Sequence, residues 1–317
     1  MGPNVTGNYG VDFSGISQAL NITLDTAYVD SPDYVPTTMW VNSVHSIKGG
    51  AGKTTITSSA KNDTMVSGSG YTEFKFAAGS GIDTIKDFAF LDEATPDKID
   101  IGSNDVSKVT VNKEGTVALN FNSGNDWLMI EGAQGKTFKL NDLAARVDLQ
   151  TIAYDKQANY FMATAKRATL TVDEGAEIWL DGSQGKTFVG DIRCVDATNS
   201  TGRNVLAGNE LNNTLKGGYG DATLWGGDYG DDLMIGGSSR NTFVYALGNG
   251  NDRIQNANSG DVVRFDGLTL DDISSARTVG NYTAINFTDG GSLQVTGSAD
   301  VAFSIGGEKY TAAQLRN

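Results

Sequence analysis

The sequence predicts an all-β fold of the solenoid kind, present twice in tandem, and three observations carry that prediction. The first is a nine-residue period between Gly208 and Val244: GNELNNTLK (208–216), GGYGDATLW (217–225), GGDYGDDLMI (226–235, one residue longer) and GGSSRNTFV (236–244). The second is a copy of that period in the amino-terminal half, as GGAGKTTIT (49–57), SSAKNDTMV (58–66) and SGSGYTEFK (67–75). The third is composition: 40 of 317 residues are Gly and only 39% are apolar. A fixed short period marks coils that stack, each coil burying its apolar residue against its neighbours. A chain with so little apolar material suits a thin stacked core.

Each repeat justifies a turn followed by a short strand. Small and polar residues open the unit, and glycine supplies the left-handed backbone that tight turns need. Position eight is apolar throughout: Ile56, Met65 and Phe74 in the first block, Leu215, Leu224, Met234 and Phe243 in the second. The flanks repeat as well. NITLD (21–25) matches EIWLD (177–181), and WVNSVHSI (40–47) matches FVGDIRCV (188–195). FAAGSGIDTI (76–85) matches YALGNGNDRI (245–254), NFNSGNDWLMIEG (120–132) matches NFTDGGSLQVTG (286–297), and KTFKL (136–140) matches VAFSI (301–305). The shared order places a boundary near residue 155, giving modules 1–155 and 156–317. Alternation in Thr116–Phe121 and Leu293–Val295 predicts flanking antiparallel hairpins, with Asp289-Gly290 a turn. Short helices are expected at Asn141–Val147 and Thr311–Arg316, each behind a candidate N-cap.

The nonapeptide resembles GGxGxDxUx (U a large apolar residue) of the RTX, or haemolysin-type calcium-binding, family of secreted bacterial proteins. That resemblance is strong over residues 41–101 and 205–265. It implies right-handed parallel β-rolls with Ca²⁺ clamped between turns one coil apart, each turn giving backbone carbonyls and the Asp of position six. It also implies an extracellular or cell-surface setting and type I secretion.

Most turns here lack that Asp. Position six holds Thr54, Asp63 and Thr72 in the first block, and Asn213, Ala222, Asp232 and Asn241 in the second. The GxGxD coils restore it as Asp83 and Asp252. Pairing alternate turns leaves one two-carboxylate combination per module, Asp63 with Asp83 and Asp232 with Asp252, each separated by 20 residues. One Ca²⁺ site per module is therefore expected, using also the Gly81 and Gly250 turns, with a weaker neighbour at Asn213 and Asp232. The alternative is that these aspartates make Asx-type turns without metal. Lys61 stands where the family has glycine, beside Asp63.

Other chemistries find little support. A net charge of −14 disfavours nucleic acid. No run of about 18 apolar residues offers a membrane span. Cys194 is alone, which excludes an intrachain disulfide, and its sequence context reads as strand. His45 is the only histidine, which excludes a multi-histidine metal centre. KGGAGKTT (48–55) looks like a phosphate loop, but β-branched and turn residues follow it where a long helix is required. MGPNVTGNYG lacks the basic and apolar regions of a secretory signal and suggests a fragment.

The functional expectation is a non-catalytic, calcium-binding structural or adhesive module of a secreted or surface protein. Its partners would be calcium ions, other copies of the chain, or surface glycans. Two alternatives stand beside it. One is the carboxy-terminal calcium-binding region of a secreted enzyme whose catalytic domain lies outside the chain. The other is a carbohydrate-binding module using Trp127, Trp179, Trp225, Tyr219 and Tyr229.

Overall fold

The computed structural model describes residues 4–6, 10–24, 28–30, 44, 46–76, 78–122, 124–156, 158–164, 167–298 and 300–316. His45 and most of the 40–47 stretch lie outside the described residues. The fold is all-β. It divides into two compact units, one of Met1–Leu149 with Gln157–Ala165, the other of Gln150–Lys156 with Lys166–Asn317.

In each unit the chain alternates between two sheets of parallel strands, so that a strand pairs with the strand one coil later. In the first unit one sheet stacks Gly10–Asp12, Ser46–Lys48, Thr64–Val66, Ile82–Lys86 and Trp127–Ile130. The other stacks Leu20–Thr23, Thr54–Thr57, Thr72–Lys75, Lys98–Asp100 and Thr137–Leu140. In the second unit one sheet runs through Ala168–Thr171, Ile192–Asp196, Thr214–Lys216, Leu233–Ile235, Asn251–Ala257 and Ser292–Gly297. Its companion runs through Glu177–Trp179, Asn204–Ala207, Ala222–Trp225, Asn241–Tyr245, Val262–Phe265 and Ala302–Ile305.

The register explains the period. Position-eight residues sit directly over one another, and their side chains are withdrawn from solvent. In the second unit Leu215, Met234 and Ile254 form one inward row, and Leu224, Phe243 and Val263 face them from the other sheet. In the first unit the rows are Ile47, Met65 and Ile85 against Ile56, Phe74 and Ile99. Full burial of such a side chain contributes ~1.5–3 kcal/mol, and stacking lets a three-residue strand collect it.

Each unit closes its first sheet with an antiparallel hairpin, as expected from the tail segments. Val106–Val111 pairs Val117–Phe121 in the first unit, and Ile273–Val279 pairs Tyr282–Phe287 in the second. The expected helix at Asn141–Val147 is instead a strand, Leu143–Asp148, antiparallel to Thr137–Leu140. Asn141 adopts φ 54°, so Asn141-Asp142 turns a hairpin where an N-cap had been read. Burial then alternates, with Ala145 and Val147 inside, which is a period of two. At the carboxy end Thr311–Arg316 forms only a 3-10 turn, Gln314–Arg316. Cys194 lies in the strand Ile192–Asp196, and burial raises its thiol pKa. KGGAGKTT joins strand Ser46–Lys48 to strand Thr54–Thr57, so no helix terminus faces the glycines. No helix among the described residues is long and apolar enough to cross a membrane.

Candidate metal centre

Along the first sheet of each unit, Asp63, Asn213 and Asp232 stand immediately before a strand, and Asp83 and Asp252 are the second residues of theirs. These residues stack one coil apart and form ladders. In the first unit Asp63 N–H donates to Asp83 Oδ1 at 2.9 Å, while Asp63 Oδ2 accepts from Ser59 N–H at 2.7 Å. In the second unit Asn213 N–H donates to Asp232 Oδ1 at 2.7 Å, and Asp232 N–H donates to Asp252 Oδ1 at 2.9 Å. All five side chains are buried, at 2% exposure or less. The five polar residues named from spacing are thus brought together, in two ladders, by the coil register.

Each ladder is left half-satisfied. Asp63 Oδ1, Asp83 Oδ2, Asp232 Oδ2, Asp252 Oδ2 and Asn213 Nδ2 are buried without a hydrogen-bond partner. Among the described residues the Ser58 hydroxyl, whose side chain lies beside Asp83, is the one further such atom. Buried polar atoms in folded proteins are paired almost without exception, and an unpaired one costs ~1–3 kcal/mol, more if charged. Burial therefore pushes the Asp83 and Asp232 carboxyls up to about 7 and Asp252 up to about 8. The N–H from the preceding rung counters part of that rise at each, and the neighbouring carboxylate adds to it for Asp83 and Asp252.

Backbone oxygens crowd the same edge. Gly250 has φ +88°, and a methyl group there would lie 2.1 Å from the Gly230 carbonyl oxygen and 2.9 Å from that of Tyr229. Gly81 has φ +80°, and its methyl would meet Asn62 Oδ1 at 2.9 Å. Lys61, the departure from the family pattern, is exposed. No group of three or more His, Cys, Asp or Glu side chains suited to a metal occurs among the described residues. The donor set is two carboxylates with hard carbonyl oxygens, the chemistry that Ca²⁺ prefers. Gly226 completes the pocket, since a methyl there would lie 2.2 Å from Asp232 Oδ2. Gly226→Ala is expected to displace that carboxylate and destabilise the second unit by ~1–3 kcal/mol. Thermal melts would show the loss.

The opposite edge was not read from the sequence, and it carries the contrast. There Asp97 Oδ1 accepts from Thr72 N–H at 2.7 Å, and Oδ2 accepts from Ser67 Oγ at 2.6 Å and Ala89 N–H at 2.9 Å. Asp261 Oδ1 accepts from Asn241 N–H at 2.7 Å, Oδ2 accepts from Asn258 N–H at 2.7 Å, and the Asn241 amide donates to both oxygens. Asn204 Oδ1 accepts from Ala176 N–H at 3.2 Å. Both carboxylates are fully paired by protein donors. The signal was present in DKIDI (97–101) and DVVRF (261–265), which keep the Asp-x-apolar half of the repeat without its glycines.

Trp179 and Trp225 pack edge to face at 5.5 Å, and Trp225 Nε1 donates to buried Asn249 Oδ1 at 3.2 Å. Tyr219 and Tyr229 stand on turns, 63% and 77% exposed.

No protein-family profile matches the chain, and no curated protein matches it. Among solved structures, the extracellular lipase LipA from Serratia marcescens aligns over 78% of this chain and 38% of that chain, at 13% identity and a TM-score of 0.15. The chain spans 38% of the length of that lipase.

Proposed function

We propose that the chain is a non-catalytic, calcium-binding structural module of the RTX kind, and that calcium completes the half-satisfied ladders. One observation carries the reading. The orphaned buried carboxylate oxygens are those of Asp63, Asp83, Asp232 and Asp252, the residues singled out by spacing, while carboxylates on the other edge are satisfied. An Asx turn without metal would leave no such remainder. Asp63 with Asp83, and Asp232 with Asp252, would hold the ion, with Asn213 as an outer neighbour. Bound Ca²⁺ supplies the positive charge and coordination that the orphaned oxygens lack.

The chain's own residues do the rest. The ladder hydrogen bonds fix one oxygen of each carboxylate and leave the other unpartnered. Burial favours the uncharged form of Asp83, Asp232 and Asp252 until a cation arrives, so loading and folding are coupled. A site with two carboxylates fits the ~10⁻⁴–10⁻³ M affinities of extracellular calcium modules. An extracellular or cell-surface setting follows as part of the proposal.

Calorimetric titration of metal-stripped protein is the test. We expect one equivalent per unit, accompanied by a change in far-ultraviolet circular dichroism. Absence of both heat and spectral change would remove the reading.

A further inference from the structure

In the second unit Asn213 and Asp232 precede strands Thr214–Lys216 and Leu233–Ile235, and a second feature lies at the other ends of those strands. There the turns bound a trough of about 410 Å³, within the ~300–1,000 Å³ range of small-molecule sites. Its floor is bare backbone, Gly217-Gly218 and Gly236-Gly237. A methyl group at Gly237 would lie 2.0 Å from the Gly218 carbonyl oxygen, and one at Gly218 2.2 Å from that of Ala197, so no side chain fills it. Lys216, Tyr219, Ser238 and Asn256 stand along its walls.

Charge decides the class of ligand. The Lys216 ammonium donates to Asp196 at 2.8 Å, which neutralises the cation of the wall. The carboxylate beneath this edge, Asp261, has both oxygens paired. Neither a metal ion nor an anion finds uncompensated charge here. What remains free is neutral and hydrogen-bonding: the Tyr219, Ser238 and Asn256 side chains have no partner among the described residues, and Tyr219 is 63% exposed. An amide and two hydroxyls donate and accept at once, as sugar hydroxyls require. A tyrosine ring adds an apolar face for the carbon side of a pyranose.

We propose that this trough is a binding site for a neutral saccharide. The proposal is independent of the calcium reading, because none of these residues is a rung of the orphaned ladders. The experiment keeps calcium in excess throughout and uses the full chain. Affinity electrophoresis is run through gels containing laminarin, xylan, dextran or starch, with alginate as the anionic counterpart. Retardation is expected in at least one neutral gel, with an apparent affinity reduced about tenfold by Tyr219→Ala. Asn256→Gly should weaken it too, since glycine keeps the left-handed backbone (φ 56°) while removing the amide. Tyr310→Ala, in the strand Glu308–Tyr310 and outside both the trough lining and the ladders, should leave retention unchanged. No retardation in any neutral gel, retention by alginate alone, or retention indifferent to both trough variants would overturn the proposal.

Discussion

Metal-stripped protein is expected to melt at a lower temperature at pH 8 than at pH 5. The cause is the raised pKa of Asp83, Asp232 and Asp252, at about 7, about 7 and about 8 against 3.8 for a free aspartate. A raised carboxylate pKa means that the folded state holds the proton more tightly than the unfolded chain. Between about pH 4 and pH 8 the folded chain therefore binds more protons, and stability falls as pH rises. Below pH 4 both states are protonated and the penalty vanishes. At ~1.4 kcal/mol per pKa unit the swing is on the order of several kcal/mol, most of it in the second unit, which holds two of the three groups. Calcium reverses the sign, because an ion binds the ionised form and competes with the proton. In millimolar calcium the protein should be more stable at pH 8 than at pH 5. Melting curves at both pH values, with and without the ion, measure this directly. A cation-free protein that gains stability towards pH 8 would show that the ladders carry no strained acid.

Asp232→Asn is expected to stabilise the cation-free protein at pH 8 and to weaken calcium binding. The opposite edge supplies the precedent, for the Asn241 amide donates to Asp261 Oδ1 at 3.1 Å and Oδ2 at 3.2 Å. An amide at position 232 keeps the acceptor that Asn213 N–H uses and offers a donor towards Asp252. Removing one buried, unpaired acid should be worth ~1–3 kcal/mol without metal. With one carboxylate left, affinity of the second unit should drop at least tenfold, or ~1.4 kcal/mol. Asp63→Asn should do the same in the first unit and leave the second unaffected. Calorimetry and melting on each variant separate the two effects. Loss of stability without metal, or unchanged calcium affinity, would contradict the assignment.

Much of this architecture was legible because the repeat speaks through one position. Met65, Phe74, Leu224 and Phe243 announced the inward rows, and the stacked strands put them there. The aspartate pairs were legible for the same reason, since equal spacing of 20 residues is one full coil when register is kept. Asp97 and Asp261 were not, because their turns lack glycine pairs and Asp97 follows a longer irregular loop, 25 residues beyond its partner Thr72. The strand Leu143–Asp148 was hidden by Ala-Ala-Arg, whose local preference is helical and whose fate is set by the neighbouring strand Thr137–Leu140. Local propensity lost to a pairing partner that the sequence alone does not display.

The ladders also have a polarity. Asp63 leans on Asp83, Thr72 on Asp97, Asn213 on Asp232, Asp232 on Asp252 and Asn241 on Asp261, and in every case the earlier residue gives its amide hydrogen to the later one. In these inward rungs a coil is finished by its successor, whereas an outer set runs the other way, Asn62 Oδ1 taking the Ile82 N–H and Asp231 Oδ1 the Asn251 N–H. Shortening either unit from its carboxy-terminal side strips a buried acceptor from the coil left behind, whereas trimming the leading side costs the buried row only a donor and takes its acceptors from the exposed outer set. Damage in these stacks should accordingly travel backwards along the chain, and the terminal hairpins act as the stops that keep it from starting.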